Sequence, residues 1–173
     1  DFDGALHGKE GPVPVRRTPR EQWPPLSKTL AEFASERQIP YVADMNADFR
    51  DGYASVPMSN WPDKRASAAI CYLDPSVRAR GNLTIVNGAT VTALLFDGRR
   101  VTGVTARVDG EARQFNAREI ILSTGGVHSP AFLMRSGIGP AGHLREHGIE
   151  VRVDLPGVGE NLSNHAIVFV GLL

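Results

Sequence analysis

The 173 residues are enough for one compact domain or for parts of two. Nineteen basic side chains balance 19 acidic ones, so no net charge attracts nucleic acid or an anionic membrane, and neither is an expected partner. The single cysteine, Cys71, cannot form an internal disulfide, and no apolar run is long enough to span a membrane. We therefore expect a cytoplasmic globular protein, while the composition leaves its oligomeric state open.

The two ends of the chain predict a piece of a longer protein. The chain begins at Asp1 without an initiator methionine or a signal sequence. It stops inside an apolar run, and residues 166–173 are therefore predicted to start a strand that enters a sheet.

Residues 1–80 are predicted to form loops with two helices. One helix should cover residues 26–37, because Leu26, Leu30 and Phe33 recur at i, i+4 and i+7 on one helical face. An Ala-rich segment predicts a second helix over residues 65–73, and the proline at position 75 should end it. The remaining segments lack periodicity and are rich in glycine and proline, which is typical of irregular chain.

Residues 81–165 are predicted to be rich in strands. A short strand over residues 83–86 should end at an Asn-Gly turn. Three further strands, separated by two Asp-Gly turns, predict a β-meander over residues 90–96, 101–108 and 112–116. A compact apolar strand then follows over residues 119–123, and another is expected over residues 149–153.

Two helices are predicted among these later strands. Ser129 and Pro130 together are typical of a helix start, a serine cap followed by proline at the first helical position, and Gly137 should end this helix. A second helix is expected over residues 141–147, with Gly148 as its C-terminal cap. The elements together predict the α/β class, or α+β for this piece taken alone.

The turn at Ser123-Thr124-Gly125-Gly126 is the stronger candidate for a cofactor site. A strand that runs into glycines lets a ligand approach bare backbone, and the positive end of the following helix favours an anionic group. The residues alone equally allow a tight strand-to-helix connection without a ligand. The weaker candidate is the literal G-x-G-x-x-G of residues 137–142, which follows a helix and contains Pro140. Because the dinucleotide fingerprint must follow a strand and open a helix, we interpret it as a helix-ending turn.

Histidines offer no convincing metal or catalytic site. His143 and His147 are spaced i and i+4 and could share a metal, but no third ligand lies nearby, so no metal site is predicted. The position of His147 in the last helical turn is explained by the helix dipole. His128 and His165 are single histidines beside glycine-rich turns, and the sequence does not assemble a Ser-His-Asp set.

Four ordered segments resemble blocks of the glucose–methanol–choline (GMC) family of flavin oxidoreductases. They are residues 7–8 with 11–12, residues 65–73 with 82–83, residues 125–140, and residues 154–165. The third, which reads Gly-Gly-Val-His-Ser-Pro and ends in Ser-Gly-Ile-Gly-Pro, resembles the second family signature. Gly126 stands where the family more often has alanine. Asn164 stands where it usually has aspartate, so the role of that carboxylate is not carried over.

The resemblance implies an enzyme that oxidises a small-molecule alcohol by hydride transfer to FAD. Family members bind FAD in a doubly wound domain and carry a second, substrate-binding domain. On this basis residues 1–80 belong mostly to the substrate-binding domain, residues 81–165 to the FAD-binding domain with its β-meander, and residues 166–173 begin a strand of the substrate-binding domain.

The resemblance also implies roles for individual residues. The backbone of Val91 matches the position that meets the adenine, and the turn of Ser123, Thr124 and Gly125 is similar to one that lies against the FAD nucleotide. The glycine fingerprint and the catalytic histidines of the family lie in stretches that this sequence does not include. We therefore expect the chain alone to be inactive, with no catalytic residue of its own.

Two other functions are compatible with the same features. The chain could belong to a binding module that keeps the fold without the chemistry. It could also belong to a two-dinucleotide flavin reductase, which shows a β-meander before a strand ending in Thr-Gly-Gly. That class requires a second G-x-G-x-x-G after a strand, and the sequence contains none.

Overall fold

The computed structural model describes residues 6–167, and the chain divides into two compact units between Ile85 and Val86. We call them the N-terminal unit and the C-terminal unit. Which enzyme domain each belongs to stays a prediction. The predicted strand over residues 166–173 lies, apart from its first two residues, outside the described residues. None of the helices within residues 6–167 is both long enough and apolar enough to cross a membrane.

The N-terminal unit contains the predicted first helix and two shorter ones. After a 3-10 turn at Arg20–Gln22, the helices are α1 (Pro25–Glu36), α2 (Ala68–Tyr72) and α3 (Pro75–Arg78). Helix α1 confirms the prediction and begins with proline at its first position. The helix predicted over residues 65–73 is shorter in the structure. It begins only after Ser67, which caps α2 by accepting a hydrogen bond from the Ile70 N–H. The proline that follows Asp74 begins α3, as the aspartate caps the new helix.

Helix α1 buries its small residues and leaves its large ones half-exposed. Ala31 and Ala34 are buried, whereas Leu30 and Phe33 are 53% and 49% exposed. The guanidinium of Arg37 lies 3.5 Å from the centre of the Phe33 ring and covers part of it. The predicted apolar stripe is therefore only partly packed within the described residues.

One carboxylate joins the irregular segments of the N-terminal unit. The side chain of Asp44 accepts hydrogen bonds from Arg17 at 2.6 Å and from the Asn46 N–H at 3.2 Å, and it contacts the His7 ring. Burial raises the pKa of Asp44, but these partners together outweigh burial and hold the pKa below its usual value. The contribution of Asp44 to the stability of the folded chain is therefore complete above the ordinary aspartate pKa. It is lost as the pH falls through the lowered pKa of the folded state.

The C-terminal unit begins with the predicted β-meander, which the structure confirms. Strands β1 (Ala89–Asp97), β2 (Arg100–Val108) and β3 (Glu111–Asn116) pair antiparallel in that order. Asp109 and Gly110 both have positive φ, at 51° and 87°, which is typical of the tight turn that joins two strands of matching twist.

Three other predicted strands are absent or shorter than expected. Residues 83–86 and 119–123 have no ladder partner among the described residues, and Ile121 is 83% exposed. The strand expected over residues 149–153 is reduced to β5 (Val153–Asp154), which pairs parallel with β4 (Ile138–Gly139). An apolar run forms a strand only where a neighbour supplies hydrogen bonds. The described residues therefore form a mixed α/β unit with two small sheets, and the doubly wound sheet stays an expectation.

The prediction that Ser129 caps a helix was wrong. Helix α4 is Gly125–Arg135, one turn longer at its start, with Thr124 at the N-cap. Gly125 has φ +90° and turns the chain into the helix before Ser129 is reached. Pro130 therefore lies inside the helix, where its missing N–H leaves the carbonyl of Gly126 without its usual donor. The Ser129 hydroxyl instead pairs with that of Thr124 at 3.0 Å.

The predicted end of α4 and the last helix are confirmed. Gly137 follows α4 with φ +82°, and Gly148 follows α5 (Ala141–Glu146) with φ +67°. The side chain of Asp154 accepts a hydrogen bond from the first N–H of α5 at 3.0 Å. Leu144 of α5 is fully buried and anchors this part of the unit.

Replacing Ser129 with alanine should leave the free energy of unfolding within about 0.5 kcal/mol of the original, because the side chain does not cap a helix. The same change at Ser67, a real N-cap, should cost about 1 kcal/mol. Chemical denaturation of both variants measures the difference. A loss at Ser129 as large as that at Ser67 would show that the hydroxyl pair with Thr124 stabilises the helix start.

Replacing Gly137 with alanine should lower the free energy of unfolding by about 2–4 kcal/mol, combining left-handed strain with the cost of overpacking. A Cβ there would collide with the backbone oxygen of Glu150. Gly98→Ala is the matched control, since Gly98 has φ +55° but open space around it, and it should lose only about 1 kcal/mol. Equal losses at the two sites would mean that the collision with Glu150 is relieved without cost.

Candidate functional site

The C-terminal unit contains a cleft of about 680 Å³ that brings predicted cofactor residues together. The start of β1, the extended segment of residues 119–124 and one face of α4 form its walls. Val91, Ser123 and Thr124 line the cleft. Gly125 follows directly on Thr124, and a Cβ at Gly125 would meet nothing within 4 Å. Residues predicted from two separate segments thus share one concave surface.

A β-bulge distorts the β1 wall of the cleft next to Val91. The pairing of β1 with β2 shifts between Val91 and Ala93, so Thr92 is an extra residue in the strand. Its hydroxyl donates to the Thr105 carbonyl at 3.1 Å. Strand β1 is also an edge of the described three-stranded sheet. Bulges and edges both leave main-chain groups available to a ligand, which suits contact through the backbone at Val91.

The extended segment supplies the apolar floor of the cleft. Ile120 and Leu122 are half-buried, and the segment ends in the hydroxyl groups of Ser123 and Thr124. These hydroxyls lie where α4 begins, so the partial positive charge of the helix end is close to them. The floor therefore changes from apolar to polar toward the helix, which suits a ligand with a planar apolar part and an anionic part.

The α4 wall consists of three side chains that share one helical face. His128, Phe132 and Arg135 lie at i, i+4 and i+7, and all three line the cleft. Phe132 is buried, and the guanidinium of Arg135 lies 5.9 Å from the centre of its ring. The sequence analysis overlooked Arg135 and treated His128 as an isolated residue. The i, i+4, i+7 spacing of these three residues could have identified the shared face. The predicted helix began at Ser129, however, so His128 lay outside it.

The volume and lining of the cleft fit the nucleotide part of FAD. Ligand pockets of roughly 300–1,000 Å³ that are mainly apolar with a few polar groups are typical of small-molecule and cofactor sites. The cleft offers apolar side chains for a ring and hydroxyls beside a helix N-terminus for a phosphate. Val91, Ser123, Thr124 and Gly125 are the residues that would hold this group.

The other glycine-rich segments serve packing. Gly137 ends α4 as predicted, and its carbonyl accepts hydrogen bonds from the backbone of residues 152 and 153 at 2.8 and 3.1 Å. The rest of the G-x-G-x-x-G is not a turn, since residues 138 and 139 form β4 and residues 141 and 142 begin α5. In the segment of residues 154–165, Gly159 has φ +88°, and a Cβ on it would lie 3.4 Å from the Met134 side chain. Gly159 is therefore explained by its close approach to α4, whereas a Cβ on Gly157 would meet nothing within 4 Å.

The histidine pair on α5 lacks further ligands. The rings of His143 and His147 lie edge to face with centres 4.6 Å apart. Within residues 6–167 no group of three His, Cys, Asp or Glu side chains is arranged to hold a metal ion. The two histidines therefore form a ring contact at the end of a short helix.

Comparison with known proteins gives matches over nearly the whole chain. The profile of the GMC oxidoreductase family matches residues 1–167. The 5-(hydroxymethyl)furfural oxidase of Methylovorus is 40% identical over 168 residues, which cover 97% of this chain and 32% of that protein. The oxygen-dependent choline dehydrogenase of Staphylococcus saprophyticus is 39% identical over 97% of this chain and 30% of its own length.

Solved structures agree with this match. An FAD-dependent oxidoreductase from Chaetomium thermophilum superimposes with a TM-score of 0.79 and 31% identity, over 90% of this chain and 27% of that one. Pyridoxine 4-oxidase from Mesorbium loti gives a TM-score of 0.74 and 30% identity, over 87% and 29%. The chain thus spans about a third of the length of the curated relatives that it matches. It belongs to the GMC oxidoreductase family.

Proposed function

We propose that this chain is the central part of an FAD-dependent oxidoreductase that oxidises the CH–OH group of a small-molecule alcohol. The observation that supports this most is that Val91, Ser123 and Thr124 line one cleft, with Gly125 beside it. Two relatives are named 5-(hydroxymethyl)furfural oxidase and oxygen-dependent choline dehydrogenase. Both compounds in these names carry a hydroxymethyl or hydroxyethyl group, which favours an alcohol substrate. When bound, the flavin would accept the hydride from the substrate carbon.

The residues of the cleft would bind and orient the cofactor without taking part in the chemistry. The backbone at Val91 would contact the adenine, since the adjacent bulge leaves main-chain groups available. The turn of Ser123, Thr124 and Gly125 would lie against the nucleotide, with hydroxyl donors and the end of α4 facing its negative charge. A side chain at Gly125 would intrude into space that is open in the described structure. The doubly wound sheet would complete this site in the whole protein.

The N-terminal unit would belong to the substrate side. It contains a cleft of about 370 Å³ lined by apolar and aromatic side chains, among them Trp23, Leu30 and Tyr53. Such a surface suits the apolar part of a small organic substrate. The catalytic base would be a histidine outside this chain, so the chain alone would not turn over substrate.

A binding module without catalysis is the second candidate, favoured by one residue. Asn164 replaces the aspartate that the resemblance leads us to expect, and its amide oxygen accepts a hydrogen bond from the backbone of His165 at 2.8 Å. An uncharged side chain at this position removes a negative charge from a block that follows the flavin-binding signature.

The whole protein should be isolated with bound flavin, and anaerobic addition of primary alcohols should bleach its visible absorbance. Bleaching reports hydride transfer directly and does not depend on the final electron acceptor. An Asn164→Asp variant serves as a comparison, because it restores the carboxylate expected at that position. A yellow protein that no alcohol bleaches in either form would favour the binding module, and a colourless one would contradict both proposals.

Replacing Gly125 with valine should yield mostly flavin-free protein, whereas Val91→Ala should keep most of its flavin. A Cβ at φ +90° costs about 1–2 kcal/mol in strain and places atoms where the cofactor would lie. Contact at Val91 should run through the backbone, which alanine preserves. The ratio of flavin to protein absorbance measures both effects.

The control for strain alone is Gly148→Val, because Gly148 has φ +67° in open space at the end of α5. It should fold less stably but retain flavin. Full flavin content in the Gly125→Val protein would show that this turn is only a chain connection.

A further inference from the structure

We infer that Arg135 positions the adenine end of the cofactor by stacking its guanidinium against the base. This inference rests on the proposed function, since it concerns the same cleft. The sequence patterns that indicated the turn and Val91 do not include Arg135. Arg135 is assigned this role because α4 places its side chain in the cleft beside β1.

Arg135 shares the cleft with the start of β1. It lines the main cleft together with Val91, and it also lines a smaller neighbouring cleft with Ala93, Leu94 and Phe96 of the same strand. Its side chain therefore lies along β1, the strand whose backbone is expected to meet the adenine. No other arginine or lysine is among the residues that line the main cleft.

The position of Arg135 along α4 distinguishes the two ends of the cleft. Ten residues separate it from Gly125, which at a rise of about 1.5 Å per residue is about 15 Å along the helix axis. An anionic group of the nucleotide would be favoured at the N-terminal end, near Thr124, where the helix dipole is positive. Arg135 lies at the opposite end of the helix and beside β1, so it is placed for the base.

The chemistry of a guanidinium suits an adenine ring. It is planar, always charged, and stacks on aromatic faces, which a lysine ammonium does less well. The guanidinium carbon lies 5.9 Å from the centre of the Phe132 ring, within cation–π reach, so a base could approach the guanidinium from the cleft. Among residues 6–167 the side chain forms no ion pair with a carboxylate, and it is exposed. Its second face is therefore not already engaged by an acidic side chain.

The test uses the whole protein, freed of flavin, and measures the binding of FAD, ADP and FMN by calorimetry. Arg135→Met keeps an unbranched apolar stem but removes the charge and the plane of the guanidinium, and Arg135→Lys keeps the charge without the plane. Both should weaken the binding of FAD and ADP about tenfold, between the sizes of an exposed and a desolvated cation–π contact, and leave FMN unchanged because FMN lacks adenine. Arg145→Met on α5, whose side chain is outside the lining of the cleft, is the control and should change none of the three. Arg135→Gln replaces the Met variant if that protein does not fold.

The possible outcomes separate this inference from the proposed function. If the unsubstituted protein binds FAD and Arg135→Met binds ADP equally well, the inference is overturned and the proposed function stands. If Arg135→Lys restores full affinity for ADP, the residue acts as a point charge on a phosphate, and the adenine assignment is overturned. If the unsubstituted protein binds neither FAD nor ADP, both proposals fall together.

Discussion

The left-handed conformation of Gly125 is the constraint on which the cleft depends. With φ +90°, this residue turns the chain from the extended segment of residues 119–124 into α4 within one step. The turn sets the rotation of the helix, and the rotation decides which face meets the floor of the cleft. A residue with a Cβ would resist this conformation, and a helix started at Ser129 would be too short to contain His128. The turn at Gly125 thus determines both the polar end of the cleft and its α4 wall.

The opposite side of α4 is fixed by close packing against glycines. A Cβ on Gly139 would lie 2.8 Å from the Met134 side chain, and one on Gly159 would lie 3.4 Å from it. Met134 is unbranched and flexible, so it can fill the narrow space between two segments that approach the helix closely. Helix α4 therefore packs against these segments on one face, while its other face lines the cleft. This packing helps to fix the face of α4 that carries His128, Phe132 and Arg135.

Local signals in the sequence predicted elements whose hydrogen bonds are local. The β-meander, the ends of α4 and α5 and the extent of α1 follow from turn residues, glycine caps and periodicity, all of which act within a few residues. Residues 83–86 and 119–123 carry equally strong strand patterns, but a strand also needs a neighbour, which no local pattern supplies. The predicted start of α4 was wrong for a related reason. The Ser129–Pro130 pair is a good cap signal, yet the turn at Gly125 comes first along the chain.

The candidate site could be predicted in part, because a pattern identifies residue types and not distances. The turn at Ser123 and the position of Val91 came from motifs and resemblance, and the structure brings both to one cleft. Arg135 lies in the block that resembles the second family signature, but that resemblance gave it no role, and an arginine in the last turn of a helix is expected from the dipole alone. Only its placement beside β1 distinguishes it from an ordinary surface cation.

The ionisable side chains of the cleft have different surroundings from the close His–Asp contact of the N-terminal unit. Glu119, His128 and Arg135 are the ionisable side chains that line the main cleft, and none of them forms a hydrogen-bonded acid–base pair among the described residues. A His–Asp contact does exist, between His7 and Asp44, but Arg17 shares the same carboxylate and the three connect loops of the N-terminal unit. A carboxylate held by an arginine stays charged and so serves as a structural anchor. General acid–base chemistry requires a group that is free to change its proton, and Asp44, held by Arg17, is not such a group.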